Sequence, residues 1–394
     1  MCVSGSLRHS SQVRKLACFL PNPTVPLTLP IGKTPMGREI APSPLYALAP
    51  MTRYIVRRLL QAIPLLFLIS LVLFILMQNV ADPIATMGGR MVTRKEDRER
   101  LTRQLGLDKP IYVQYLYWLI GNDWTKTDMD GDGVPETQGT RRGVLRGDFG
   151  TSLVKRGELV TRVIADRLPN TLILMLAAEI VIILGALLIG VYSALRQYSL
   201  LDNVVSGISF VGYSMPIFFI ALATMYIFSV NFKRWGLPYL PAVGMFDPKI
   251  GKTWGQVASH MVLPVFSIAF ISLAAYSRYI RSTMLEVLNQ DYIRTAKAKG
   301  LQRRDIVFIH ALKNAALPIV TVIGLDLPLL LGGAVVTERI FAWPGMGRLF
   351  LDHVERGDTP VVMGILMLIA VAVVVFQLIT DIAYAWLDPR IRYE

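Results

Sequence analysis

Most of the residues in this chain whose type and spacing suggest chemistry are carboxylates. In DMDGDGVPE, residues 128–136, Asp128, Asp130 and Asp132 alternate, so that their oxygens can converge on a hard cation, and Gly133 fits the tight turn of a calcium loop. The bidentate acid that such a loop carries at its twelfth position is replaced by Gly139. Calcium at the three aspartates is one reading, and a polar surface loop turned by its glycines is the other. Two further acids, Glu179 and Asp326, interrupt long apolar runs. An ionised carboxylate is costly in lipid, so each must face a polar cavity, pair with another group or hold a proton. Facing a cavity, either would attract the ammonium group of a solute; packed or paired, either would be structural.

Catalytic chemistry finds no support. There is no Gly-rich loop ending in Gly-Lys-Ser/Thr to cradle nucleotide phosphates. Asp148-Phe149-Gly150 resembles a kinase tripeptide but lacks a glycine-rich loop and a catalytic-loop partner. His260 and His310 have no His, Cys or carboxylate companions at ligand spacing, which makes them local hydrogen-bonding residues. Cys2 and Cys18 are the only cysteines, and both precede the first apolar block. Without a nucleophile, metal cluster or acid-base pair, no catalytic residue is assigned.

The elements that position these residues are membrane spans. The chain has 394 residues, of which 53% are hydrophobic and 18% charged. The apolar residues concentrate in six blocks, at 59–79, 171–191, 204–230, 257–276, 316–337 and 359–380. A helix of roughly 20 residues crosses a hydrocarbon core of about 30 Å. The blocks lack the polar alternation of a transmembrane barrel. The expected fold is an all-α membrane protein of six transmembrane helices, with a cytoplasmic coupling-helix loop and a small external insertion after the first span.

Charge orients it. The net charge of +13 gathers beside the spans, a pattern of cytoplasmic anchoring that argues against a nucleic-acid partner. Arg53, Arg57 and Arg58 precede the first block, and the loop after the fourth is rich in Arg and Lys. Six crossings from an inner N-terminus put that loop and the C-terminus inside as well. Lys233, Arg234, Lys249 and Lys252 fall on the outer side and run mildly against this bias.

Four regions follow. Residues 1–50 read as a disordered extension or a start-site artefact, since Met51 is a second possible start. Residues 51–80 hold the cytoplasmic lead and first span; 81–168 form an external cap with the aromatic run IYVQYLYWLI at 111–120; 169–390 hold spans two to six. Gly212, Pro216, Gly324 and Pro328 mark places where spans can bend or pack closely, which makes Pro216 and Pro328 gating candidates beside Glu179 and Asp326. In FAWPGMGRLF, 341–350, Pro344, Gly345 and Gly347 predict a compact turn anchored by Phe341, Trp343 and Phe350. In the inner loop, YIRTAKAKG at 292–300 followed by LQRRDIVFIH predicts two short helices broken at Gly300, a structured amphipathic surface suited to a cytoplasmic partner.

Six segments in order resemble one family: MTRYIVRRLL at 51–60, LGLDKPIYVQYLYWL at 105–119, GDFGTS at 147–152, GYSMPIFF at 212–219, YIRTAKAKGL at 292–301 and FAWPGMGRLF at 341–350. They are similar to permease subunits of ABC importers for dipeptides and oligopeptides, a group that includes nickel and glutathione systems. The resemblance implies a non-catalytic permease subunit in a bacterial inner membrane, forming half of a peptide pathway. Its implied partners are a second homologous permease, two cytoplasmic ATPase subunits that hold ATP and magnesium, and an extracytoplasmic peptide-binding protein. The family's coupling motif falls on Arg294, Thr295 and Ala296, with its glycine on Gly300 followed by Leu301. Its generic acid is absent, so no particular salt bridge to the ATPase is implied. Nickel or glutathione import is the alternative within this framework, and an ion-coupled secondary transporter the alternative outside it.

Overall fold

The computed structural model describes residues 44–80, 84, 86, 98–99, 102–103, 105–128, 136–155, 157–315, 319–324, 326 and 334–387. By contacts the chain divides into Met1–Ala49 and Pro50–Glu394. Of the first unit only residues 44–49 are described, as helix. The expectation for residues 1–50 therefore lies almost wholly outside the described residues, as do Pro328, Asp130, Asp132 and Gly133.

The regular secondary structure of the described residues is helical apart from a hairpin of two-residue strands, β1 Lys126–Thr127 and β2 Thr137–Gln138, and an isolated bridge between Thr151 and Leu159. The long helices are α1 Pro44–Val80, α4 Leu168–Leu195, α7 Trp254–Leu288 and α12 Thr359–Leu387. Between them lie α2 Ile111–Leu119, α3 Val160–Ala165, α5 Leu200–Ser214, α6 Ile217–Met225, α8 Asp291–Ala298, α9 Arg303–Asp305, α10 Val335–Ile340 and α11 Met346–Glu355. Among the described residues, 5 stretches are long and apolar enough to cross a membrane: Tyr54–Asn79, Val160–Leu195, Ile217–Arg234, Trp254–Leu288 and Thr359–Ala383. The remaining expected block, 316–337, is described only at 319–324, 326 and 334–337, all helical but Ala334.

The third block departs from the expectation of one continuous span. Its helix stops at Ser214, runs extended through Met215 and Pro216, and restarts at Ile217. Proline disfavours helical backbone in the residue before it and supplies no amide, so the chain breaks there and Pro216 caps the second piece. From Met225 the helix widens through a π turn, Tyr226–Asn231, before ending at Arg234.

The core lies between α4 and α7, where Leu174, Ala178, Ile182 and Ala186 meet Ile268, Ala269, Tyr276 and Ile280. Small residues let these helices approach: a Cβ on Gly190 would lie 2.7 Å from the Ile280 side chain. Helix α1 is peripheral. It is tied to the cap by Ser70 Oγ and Tyr115 Oη at 2.8 Å and by Gln78 Nε2 donating to Gln114 Oε1, and to α12 by an Arg58–Asp381 ion pair of 3.3 Å. Its outward face exposes Leu60, Ile63, Leu68 and Leu76, a surface suited to acyl chains rather than water.

Candidate functional site

The loop after α7 is built from a buried stripe and an exposed face. On α8, Ile293 and Ala296 are buried, three residues apart, against Ile306, Val307 and Ala311 of the following helix. The intervening Arg294 and Thr295, and Lys297 beyond, are exposed. Helical spacing thus sorts the sequence-predicted coupling residues: Ala296 holds the helix down, while Arg294, Thr295, Gly300 and Leu301 face outward. The amides of Gly300 and Leu301 donate to the carbonyls of Lys297 and Ala296, a Schellman closure, and Gly300 sits at φ +75°. Nothing lies within 4 Å of the Cβ position of Gly300, so backbone conformation selects glycine there.

Close by, α5 is clamped to the inner end of α7. Arg281 Nε and Nη2 donate to Asp202 Oδ1 and Oδ2, both at 2.9 Å, with the Asp202 side chain 4% exposed. Asp202 also accepts from the Tyr198 amide, and its own amide donates to the N-cap Ser199 Oγ. A bidentate pair of this kind fixes orientation as well as distance.

Deep in the bundle, Tyr276 of α7 donates from Oη to Asp326 Oδ2. Glu179 of α4 is 6% exposed, and its Oε1 is enclosed without a hydrogen-bond partner. Its charge and that of Asp326 act on one another, so the two acids that the sequence singles out lie near each other in the bundle. The donor that meets Asp326 is a phenol from a neighbouring helix. Gly324 lies against α12, since a Cβ there would fall 1.9 Å from Thr380 Oγ1.

At the other end of α4, two buried acids that sequence reasoning missed organise the turns. Glu338 of α10 accepts from Thr171 Oγ1 and from the Arg348 amide, each at 2.9 Å, so its carboxylate caps the start of α11. The Met346 amide donates to Thr171 Oγ1, Trp343 Nε1 to the Asn170 carbonyl, and Asn170 Nδ2 to the Pro344 carbonyl. A Cβ on Gly345 would lie 2.4 Å from Glu338 Oε1, which explains the glycine in this turn by space. Phe341 and Trp343 are fully buried, as their anchoring role requires.

Asp358, one residue before α12, accepts from Ser152 Oγ, from the amides of Leu153 and Val154, and lies 2.9 Å from His353 Nδ1. It thereby locks the GDFGTS segment onto the last span. Burial works against its ionisation, but the His353 and Ser152 hydrogen bonds and the two amides outweigh it and hold the carboxyl below its ordinary value. An N-cap reading of Asp358-Thr359-Pro360 would have found this residue. Glu338 offered a weaker signal, an acid at the edge of an apolar block. In the Asp-rich loop, Asp128 is described and half-buried. His260 Nδ1 lies 2.8 Å from the Gln256 carbonyl within its own helix, a local hydrogen bond as expected.

Residues 186–393 match the family described as binding-protein-dependent transport system inner membrane component, and residues 51–175 match the N-terminal part of that membrane component. The oligopeptide transport system permease protein AppB of Bacillus subtilis is 41% identical over 344 residues, covering 87% of this chain and 100% of that protein. The dipeptide transport system permease protein DppB of Escherichia coli K12 is 36% identical over 367 residues, at 87% and 100% coverage. The di/tripeptide transport system permease protein DppB of Pseudomonas aeruginosa is 38% identical over 364 residues, again at 87% and 100%.

Proposed function

The chain belongs to the family of binding-protein-dependent transport system inner membrane components, and from that premise we propose that it forms one half of the pathway of an ATP-driven importer for di- or oligopeptides. It is a non-catalytic, multi-pass subunit of a bacterial inner membrane. The observation that carries the peptide reading is full-length similarity to permeases named for oligopeptide, dipeptide and di/tripeptide transport. Membership of a binding-protein-dependent family sets aside the ion-coupled alternative.

The finer parts of the proposal rest on physical argument. A sixth span over 316–337 brings the C-terminus to the inner side, as the Arg and Lys bias requires. Domain limits at 51–80, 81–168 and 169–390 follow from that topology. A second permease completes the pathway, two ATPase subunits supply the energy with ATP and magnesium, and a peptide-binding protein delivers cargo from outside. The exposed face of α8, with Arg294, Thr295 and the Gly300-Leu301 turn, is the docking surface for one ATPase. Its support is the geometry: a short helix pinned from within by Ile293 and Ala296, and free on its cationic side. Glu179, Asp326, Pro216 and Pro328 are the gating candidates, supported by the buried Glu179, the Tyr276–Asp326 hydrogen bond and the helix break at Met215.

The test is reconstitution of the four components in vesicles, with peptide uptake and peptide-stimulated ATP hydrolysis as readouts. Reversing the outward charges with Arg294→Glu and Lys297→Glu is expected to release the ATPase while the permease pair still assembles. Undiminished uptake by that variant would remove α8 from the coupling role, and failure of the intact set to move any peptide would remove the cargo assignment.

A further inference from the structure

The external cap holds a cavity of about 110 Å³ at the outer ends of α1 and α12, with Gln78, Trp118, Arg141, Phe149 and Thr359 in its lining. Its height follows from the spans: Gln78 is next to the last residue of the Tyr54–Asn79 stretch, and Thr359 is the first of Thr359–Ala383. Both mark the level at which a bilayer presents its headgroups.

Arg141 is fixed and unsatisfied. Its amide donates to Asn122 Oδ1 at 3.0 Å and its carbonyl accepts from the Asn122 amide at 2.9 Å, which pins the backbone from both sides. Among the described residues the guanidinium makes no hydrogen bond or ion pair. Asp148 acts on it through space, but the Asp148 oxygens already accept the amides of Arg142 and Gly150. Burial disfavours the charge of this guanidinium, with Asp148 as the opposing influence. A positioned, half-buried cation with five idle donors calls for an anion.

The surroundings say which anion. Phe74, Trp118 and Phe149 wall the cavity, and beside it α2 turns Ile111, Tyr112, Leu116 and Ile120 outward. Ile75 and Leu76 on the outer half of α1 are exposed as well. A free phosphate or a small carboxylate would meet Arg141 but leave this apolar flank in water. A phosphodiester bearing two acyl chains satisfies both. We infer that Arg141 and this cavity bind the headgroup phosphate of an anionic phospholipid from the outer leaflet, with its chains laid along α1 and α2.

Native mass spectrometry of the assembled transporter, delipidated in detergent and then offered single lipids, tests this directly. Phosphatidylglycerol should bind about tenfold more tightly than phosphatidylcholine, and Arg141→Ala should remove that preference while Arg141→Lys keeps part of it. Inorganic phosphate and a dipeptide, each supplied in excess, should not displace the lipid. Equal binding of the two lipids to the unaltered transporter would mean non-selective annular lipid and would overturn the inference, and this arm stands even if Arg141→Ala fails to assemble. An unchanged preference in an assembled Arg141→Ala variant would overturn it too, as would displacement by phosphate, which assigns the site to a free anion, or by the dipeptide, which assigns it to solute.

Discussion

At the scale of single residues, the buried acids divide by what they meet. Asp358 meets donors on every side and is held ionised, so its linkage to pH has a definite sign. Its folded value lies below the ordinary 3.8, so its stabilisation is complete above that value and is lost as pH falls through the lower folded value. Thermal unfolding of the solubilised permease between pH 2 and 7 should therefore show a steeper acid-side loss than the Asp358→Asn variant shows. Glu338 depends on both its oxygens accepting. Replacing it with Gln turns one acceptor into a donor facing Thr171 or the Arg348 amide, and should cost about 2 kcal/mol in the same assay. Asp326→Asn keeps an acceptor for Tyr276 while removing the charge, so it separates bonding from electrostatics. If the acid pair takes part in gating, uptake or stimulated ATP hydrolysis changes in Asp326→Asn although the complex assembles; unchanged values for both would remove Asp326 from gating.

At the scale of elements, the glycines answer to two different causes, and the causes predict different substitution behaviour. Gly300 has open space around its Cβ position and a positive φ, so Gly300→Ala should cost only about 1 kcal/mol of strain, and Gly300→Asn less. Gly345 has an ordinary backbone but faces the Glu338 carboxylate, so Gly345→Ala must displace that carboxylate or the turn. In a double-mutant cycle, Glu338→Ala should absorb much of the penalty of Gly345→Ala, an interaction of about 1–2 kcal/mol, whereas additive costs would show the contact to be unimportant. The α8 break was legible in the sequence because it depends on local signals, a glycine flanked by amphipathic helical spacing. The interruption of the third block at Met215 is local in the same way. Pro216 marks a place where a span can bend or pack closely, and the structure stops the helix there.

At the scale of the whole molecule, the lipid-facing surfaces and charge bias make topology testable. With Cys2 and Cys18 replaced, a single cysteine at Lys297 should react with an impermeant maleimide only in inside-out vesicles, and one at Asp247 only in right-side-out cells. Labelling of both from the same side would overturn the alternating arrangement. The long helices, their apolar character and the helix break at Gly300 were all visible as one-dimensional patterns. The cap was visible only as a region, since its cavity and its Asp358 lock join segments far apart in the chain.

Sequence alone determined the multi-span apolar helices and the family, because apolar length and ordered motifs are properties of contiguous residues. Tertiary structure alone decided which acids find partners. Asp326 meets Tyr276 across 50 positions, Asp358 meets Ser152 across 206, and Glu338 meets Thr171 across 167. The cost of a buried polar group depends on the donor that reaches it, and no local pattern encodes a donor brought in by another helix. The same reason makes Arg141 stand out: among the cap's basic residues the sequence gives it no distinction, and only the folded cavity leaves it lining a pocket without a partner.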